Sequence, residues 1–480
     1  MSKIPTHHPL ALPPKPADST LSRWLYESIR DAILAGKLPR GARLPSTRSL
    51  ADSHGISRRI AVDVYEQLRQ EGYLSGQVGS GTMVSPKIPD DYQPASVKAS
   101  VQTERQSFLP ASYSRPAMPF RPIEPAISEF PMETWARCSA KVMRQANVAM
   151  LAGGDLAGLP ALREAIAAYL GASRGVSCSP DQILIVSGAQ QALDLIARIV
   201  MKPDDSVWME DPAYLGALDA FRNAKAKIIP VHVDEEGLSL ADGIRRCPKP
   251  RAVYLTPAHQ FGLGVTLSLP RRLELLRWAE KSGAVLIEDD YDSEFRFSGR
   301  PIPAMRGLQG AEDIFHVGTF NKAIFPSLRL GYLLVPQGWM DTFVSLRFQS
   351  DRHPPTLSQA TLAQFIEEGH FARHLRRMRA IYGERREALQ RDAERYLRGA
   401  LELPEIAAGL YTPAYLCNGM DPEEIVQRGV ASKLELWTLA RSAIERTDLR
   451  GFALGFAAFT PQEIRKGTLA LAKLLEAKAA

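Results

Sequence analysis

From about residue 119 to the end of the chain, short apolar runs alternate with amphipathic stretches. The runs are "DQILIVSG", "AKIIPVHV", "RAVYLTP", "GAVLIEDD", "DIFHVG" and "RLGYLLVP", and segments such as 271–281 separate several of them. Apolar runs of this length without polar alternation suit strands buried on both faces, and helices between them supply the cover. The pattern predicts an α/β domain: a mixed, mostly parallel sheet covered by helices on both faces. With 480 residues, 45% hydrophobic and 23% charged, the chain has length for two or three domains and a large core.

The first 120 residues break the pattern. Residues 1–20 are rich in proline and read as a flexible tail. Residues 86–118 carry Pro, Ser, Ala and Gln without apolar periodicity and read as a linker to a large domain at 119–480. Between tail and linker, residues 21–85 predict three helices and a hairpin. Leu21, Leu25, Ile29 and Ile33 repeat at helical spacing, with Gly36 as the stop. Ser46 and Ser57 are candidate N-caps for the second and third helices, and Ala61, Val64, Tyr65 and Leu68 share one face of the third. That leaves Arg58, Arg59 and Ile60 at the helix start, off the core stripe, where a recognition helix presents side chains to base edges. "YLSGQVGSGTMVS" reads as a hairpin whose glycines at 79 and 81 let backbone approach a phosphate or the minor groove. The segment holds nine basic and six acidic residues, half of the chain's net charge of +6. A small docking domain with solvated arginines is the competing reading.

This stretch resembles the winged-helix domain of the GntR family over its whole length, chiefly in "LPSTRSLA", "GISRRIAVDVYEQL" and "EGYL…GSGT". The resemblance implies a double-stranded DNA partner with repeated half-sites. It makes Arg48 on the second helix, Ser57, Arg58 and Arg59 on the third, and Gly79 at the wing tip the contacting positions.

In the large domain, "GTFNKAIFPSLRLGYLLVP" sets Lys322 and Arg329 inside apolar strand and turn. Lysine is seldom buried unless paired or used chemically, although two snorkelling side chains on a surface loop would look the same. "VSGAQQALDLIARI" puts Ser187, Gly188 and Ala189 at a strand-to-helix turn, where free backbone N–H groups and the helix dipole favour an anion. "MEDPAYLG" places Tyr214 on a loop after a strand. "VLIEDDYDSEF" ends a buried strand in Glu288, Asp289 and Asp290, followed by Tyr291, where α/β folds keep their ligands. Three clustered carboxylates without histidines nearby in sequence imply a cationic or protonated partner and no metal. Each motif alone also fits plain structure or a solvated strand end.

Their order resembles fold-type I pyridoxal-phosphate enzymes of the aspartate aminotransferase class, over nearly all of 119–480. The resemblance implies pyridoxal 5'-phosphate as cofactor. Lys322 would form the Schiff base, which needs a neutral amine. Asp289 would pair with the pyridine nitrogen, Tyr291 with the phenolic oxygen, and Tyr214 would stack on the ring. Ser187, Gly188, Ala189, Thr319 and Arg329 would hold the phosphate.

Winged helix, linker and aminotransferase-like domain together resemble the MocR (GabR-like) subgroup of GntR-family transcription regulators, as do "TPAHQFGLG" and "IEDDYDSEFRF". What this implies is a head-to-tail homodimer that uses pyridoxal phosphate, an amino compound, or both, as small-molecule effector. A working aminotransferase with an accessory DNA-binding domain is the alternative. Three departures stand out. His259, Gln260 and Phe261 replace the Asn-Pro-Thr-Gly loop of aminotransferases. "AGGDLAGLPALR" has glycines where relatives start with Tyr-Gly-Asp, so a phosphate contact from a neighbouring subunit is expected to be missing. Ala453 stands about where an arginine anchors a substrate carboxylate, with Arg450 three residues earlier.

Cys138, Cys178, Cys247 and Cys417 are far apart and form no Cys-x-x-Cys pair. The N-terminus lacks the charged start and apolar run of a signal peptide, and no stretch approaches ~20 uncharged apolar residues. The expectation is a cytoplasmic, nucleoid-associated protein with reduced thiols and no membrane segment.

Overall fold

The computed structural model describes residues 8, 10–77, 81–87, 117–299, 302–417 and 419–476. The chain divides into two compact units, Met1–Tyr113 and Ser114–Ala480.

The first unit holds helices α1 (Leu21–Leu34), α2 (Thr47–His54) and α3 (Arg58–Gln70), then strands β1 (Leu74–Gln77) and β2 (Gly81–Val84). Both caps form: Ser46 Oγ accepts from the Ser49 amide at 3.1 Å, and Ser57 Oγ from the Ile60 amide at 3.4 Å. Each is worth ~1 kcal/mol of helix stability. Leu25, Ile29 and Ile33 of α1 share one core with Ala61, Val64, Tyr65 and Leu68 of α3. Leu21 does not join them. It opens α1, beyond the packed turns, and stays exposed. Ile60 also departs from expectation, packing half-buried against the core. β1 and β2 pair antiparallel from Leu74↔Val84 to Gln77↔Gly81. The segment before α2 adds a third line to this hairpin: the Leu44 amide donates to Thr82 O and the Val84 amide to Ala42 O. This is a winged helix. The wing tip, with Gly79, lies outside the described residues, as does most of the expected linker. Part of the stretch read as a flexible tail is docked: Leu10 and Leu12 pack on the small core, and Trp24 Nε1 donates to Pro13 O.

The second unit is built on an eight-stranded sheet. Its strands are β3 (Ile183–Val186), β4 (Ser206–Asp211), β5 (Lys227–Asp234), β6 (Gly237–Leu238), β7 (Ala252–Leu255), β8 (Val285–Asp290), β9 (Phe315–Thr319) and β10 (Gly331–Leu334). Their order is β3-β10-β9-β8-β7-β4-β5-β6. The run from β9 through β5 pairs parallel, β10 opposes both β3 and β9, and β6 opposes β5. All six predicted strands form; β4, implied only by the loop after it, is a seventh long one. Alternation along β3 serves two cores, Ile183 and Ile185 on one face, Leu184 and Val186 on the other. Helix Pro160–Arg174 covers the first face with Leu162, Ile166 and Leu170. Helix Ala189–Val200 covers the second with Ala192, Leu193 and Ile196.

A smaller antiparallel sheet was not foreseen. Its strands β11 (Leu401–Glu402), β12 (Tyr411–Leu416), β13 (Trp437–Thr438) and β14 (Gly451–Gly455) run in the order β11-β12-β14-β13. Two of them are two residues long, and Pro413 sits inside β12, so the sequence signal is weak. Among the described residues no helix is long and apolar enough to cross a membrane.

Candidate functional site

Register brings the predicted residues of the second unit to one edge of the large sheet. Gly331 of β10 pairs with Val186 on one side and Thr319 on the other. The Ser187–Ala189 turn, Thr319 and the approach to Arg329 therefore share one rim. The carboxyl ends of β4, β7 and β8 continue that rim toward Tyr214, His259 and Asp289.

At the turn, Gly188 has φ of +110° and precedes helix Ala189–Val200, which has no side-chain cap. Its first amides have no intrahelical acceptor. A Cβ added to Gly188 would lie 3.4 Å from Asn321 Nδ2 and 3.9 Å from an Arg329 guanidinium nitrogen. Arg329 is a non-glycine residue in the left-handed region, φ +52°, and is exposed. Glycine, helix end and arginine thus form a small cationic cradle. The Ser187 amide already donates to Gln191 Oε1 at 2.8 Å, and Thr319 Oγ1 accepts from the Asn321 amide at 3.2 Å.

The three strand-end acids separate, correcting their reading as one cluster. Successive side chains on β8 point to opposite faces. Glu288 takes His316 Nδ1 at 3.0 Å and the Met305 and Arg306 amides, which hold it down at about 2 despite burial. Asp290 lies 2.8 Å from Arg174 Nη2. Asp289 alone has no cation. Its Oδ2 accepts from Tyr254 OH at 2.7 Å, while its Oδ1 is buried without a hydrogen-bond partner. Burial pushes Asp289 up to about 7, against the pull of the Tyr254 hydroxyl.

Lys322 is desolvated, which lowers its pKa, while Glu124 and Asp292 pull the other way. It makes no hydrogen bond or ion pair among the described residues. Tyr291 OH lies 2.9 Å from His259 O and 3.1 Å from His259 Nδ1, and that ring nitrogen is 3.0 Å from Asp292 Oδ2. The Phe261 ring stands 5.2 Å from Tyr214, 6.1 Å from Tyr291 and 6.4 Å from Tyr411, giving the site an aromatic wall. Gly409 allows the close fit: a Cβ there would come within 2.1 Å of His259 Cε1.

Sequence reasoning missed Tyr254, Asp211 and Asp292, and marked Gln260 only as a departure from the aminotransferase loop. Asp211 accepts from three successive amides, Ile444, Glu445 and Arg446, at 2.8–3.1 Å, and Gln260 Nε2 donates to Pro212 O at 2.8 Å. Together they fix the turn that carries Tyr214. Tyr254 reads as one more apolar strand residue. Asp292 carried a signal, as the fourth acid in five positions.

Ala453 is buried in an apolar group with Leu263, Tyr411, Leu439 and Leu449. Arg450 is exposed, and its Nη2 donates to Gly419 O and Met420 O at 3.1 and 2.8 Å. One His/Cys/Glu grouping, Cys138, Glu368 and His370, brings its ligand atoms within 4.8 Å. Lys141 holds Glu368 at 2.9 Å, and Arg373 donates to His370 Nδ1 at 2.7 Å. The His370 proton then sits on Nε2, facing Glu368, which leaves no imidazole lone pair for a metal.

In the first unit, Arg48 on α2 and Arg58 and Arg59 at the start of α3 are exposed. Arg59 has a loose contact with Asp63 at 3.9 Å. Ser57 is exposed too, its hydroxyl used as the cap.

These two constellations define a winged-helix regulator joined to an aminotransferase-type domain, and comparison with known proteins agrees. Residues 21–84 match the bacterial regulatory proteins of the gntR family, and residues 127–404 match aminotransferase class I and II, whose members bind pyridoxal phosphate. The chain is 38% identical to the probable rhizopine catabolism regulatory protein MocR of Rhizobium meliloti, over 94% of this chain and 93% of that one. It is 32% identical to the pyridoxine biosynthesis transcriptional regulator PdxR of Corynebacterium glutamicum, over 88% and 89%. Among solved structures, the α-aminoadipate aminotransferase LysN of Thermus thermophilus, complexed with N-(5'-phosphopyridoxyl)-L-leucine, superposes with a TM-score of 0.70. It shares 26% identity, over 75% of this chain and 92% of that chain. The chain belongs to the MocR subgroup of gntR-family transcription regulators, and the regulator reading stands over that of a pure aminotransferase.

Proposed function

We propose that this regulator binds pyridoxal 5'-phosphate at the strand-end rim and couples its occupancy to DNA binding through the winged helix. The observation that carries the reading is Asp289 Oδ1, a buried acceptor with no donor among the described residues. A protonated pyridine nitrogen is such a donor, and its charge would offset the cost of ionising a buried carboxyl group. The rest of the rim fits the same molecule. Gly188, Ala189 and Arg329 offer amides and a guanidinium to a phosphate, with Ser187 and Thr319 beside them. Tyr214 and Phe261 offer aromatic faces, and Tyr291 a phenol beside His259. The desolvated Lys322 amine is suited to hold an aldehyde covalently, which is the chemistry this cofactor supplies when bound.

Arg48, Arg58, Arg59, Ser57 and Gly79 are our candidates for the DNA-facing set, acting in the cytoplasm, with the protein as a homodimer on repeated half-sites. The effector is the cofactor itself or an amine without a carboxylate. Ala453 lies in an apolar group and Arg450 is engaged by two carbonyls, so neither offers a carboxylate its anchor. A charge-assisted pair at that place contributes ~1.5–3 kcal/mol, about ten- to a hundredfold in affinity.

The test is a titration of full-length, cofactor-loaded protein with amino acids and amines, following cofactor absorbance and affinity for chromosomal sites found by binding-site sequencing. Amines without a carboxylate, or cofactor alone, should shift DNA affinity. A tight response that requires the carboxylate overturns the effector assignment. Turnover of an amino donor with a keto acid, without any effect on DNA affinity, overturns the coupling.

A further inference from the structure

Residues 119–126 carry backbone strain that no role above uses. Phe120 and Ile123 lie in the left-handed region, at φ +75° and +62°, which a β-branched residue such as isoleucine seldom enters. Such strain persists only where the surroundings enforce it, and here they do so from both ends. The Gly455 amide of β14 donates to Phe120 O at 3.0 Å, and a Cβ on Gly455 would run into Arg121 O. Arg121 is 5% exposed and sits 2.7 Å from the Glu435 carboxylate, while the Glu435 amide donates to Pro119 O at 3.0 Å. At the far end the Ala126 amide lies 3.0 Å from Tyr382 OH, on helix His370–Tyr396.

What the pinned turn sets in place is Ile123 and Glu124. Ile123 packs against the apolar group of Leu263, Tyr411 and Ala453, with Val265 half-buried at its edge. Tyr411 OH lies 3.5 Å from Tyr291 OH, so this group borders the cofactor rim. It is also where the anchor for a substrate carboxylate is lacking. Glu124 follows, half-buried, and makes no hydrogen bond or ion pair among the described residues. Arg121 is engaged by Glu435. Lys322 is the cation that acts on Glu124 most strongly, and the proposed function commits that amine to the cofactor. A carboxylate drawn partly out of water, beside a reactive amine and without a cation of its own, suits a cation carried by a ligand. It also repels the carboxylate of an amino acid, so Glu124 and Ala453 select in the same direction.

Resting on the cofactor reading above, we propose that Glu124 is a specificity residue that pairs with a second, protonated amino group of the effector, which is then an aliphatic diamine. One amino group meets the cofactor beside Lys322, the alkyl chain follows Ile123 and Val265, and the far ammonium reaches Glu124.

The test uses full-length, cofactor-loaded protein and matched ligands with butyl, pentyl and hexyl chains: the terminal diamine, the monoamine and the ω-amino acid of each length. Cofactor absorbance reads binding, and DNA affinity reads the response. At the best length the diamine should bind about tenfold more tightly than the monoamine, with the amino acid the weakest of the three. Glu124→Gln should bring diamine and monoamine to near equality, whereas a merely structural loss would weaken both alike and keep their ratio. If that variant fails to fold, the ratio in the parent protein still decides. A diamine no tighter than its monoamine at every length, or a preference that survives Glu124→Gln, overturns the assignment and leaves the cofactor reading standing. A protein that takes up no cofactor at all overturns both.

Discussion

The two units display their charges in opposite ways. In the winged helix, Arg48, Arg58 and Arg59 stand in solvent above a core that does not need them. In the aminotransferase-type unit, Asp289 is buried and Lys322 half-buried, and desolvation shifts both ionisations toward the neutral form. A polyanion can be met by charges that remain hydrated, because its own field draws them in. A single small molecule has to be met by groups already desolvated, so that contact with it restores what burial removed. Substitution at the surface should therefore change binding alone, while substitution at the rim should change stability as well.

The largest expected effect is at Lys322. Lys322→Ala should abolish the visible absorption of covalently held cofactor completely, yet leave the affinity of cofactor-free protein for DNA unchanged. A variant that keeps the band removes Lys322 from the site. One that loses DNA affinity without cofactor breaks the separation of the two units' roles.

Asp289 sharpens the contrast, because stability and binding should move in opposite directions. Its folded pKa of about 7 lies above the ordinary 3.8. Below the lower value both folded and unfolded states hold the proton, and the side chain adds no pH dependence. As pH rises from there toward 7 the unfolded chain releases the proton first, and stability falls. Above 7 the loss is constant. At ~1.4 kcal/mol per unit the ceiling is about 4 kcal/mol. Cofactor-free Asp289→Asn should therefore unfold at a higher temperature than the parent at neutral pH and above, with the advantage fading toward pH 4, while cofactor affinity drops. Denaturation across pH with and without cofactor measures both. An asparagine variant that is less stable throughout would mean the orphaned Oδ1 has a protein partner after all.

Arg329→Gln comes next. Losing one charge-assisted clamp on a phosphate should weaken cofactor binding by ~1.5–3 kcal/mol, about ten- to a hundredfold. Arg329 is exposed, so the stability of cofactor-free protein should hardly change, and equilibrium dialysis with thermal unfolding separates the two. Among rim residues it is the one that should behave like those of the winged helix.

The same contrast governs what could be read from sequence. Caps, apolar stripes and the long parallel strands were legible because each is a local pattern: Ser46 and Ser57 cap as their positions require, and six apolar runs became six strands. Lys322, Asp289 and Arg329 were picked out as candidates by motif order. The partition of Glu288, Asp289 and Asp290 was not. It depends on His316 and Arg174, which reach β8 from elsewhere in the chain. Tyr254 was hidden because its ring belongs to the core and only its hydroxyl belongs to the site. The small sheet was hidden because Tyr411 and Phe452 strands of a few residues, broken by Pro413 and bounded by glycines, carry almost no periodicity.

The smallest effects are expected on the winged helix, where they differ in kind more than in size. If Arg58 or Arg59 reads a base edge, alanine there should cost ~1–3 kcal/mol on the best site and much less on altered sites, so specificity relaxes at one position. Arg48, on α2, should act as a phosphate contact. Its removal should weaken binding evenly across sequences and lower the slope of log affinity against log salt by about one. None of the three variants should shift the unfolding temperature, since Ser57 still caps α3 and the core beneath is untouched. Salt titrations on a parent site and its single-base variants decide the matter. Equal, sequence-blind losses from all three arginines would reduce this surface to a nonspecific polyanion contact and move sequence reading to the wing.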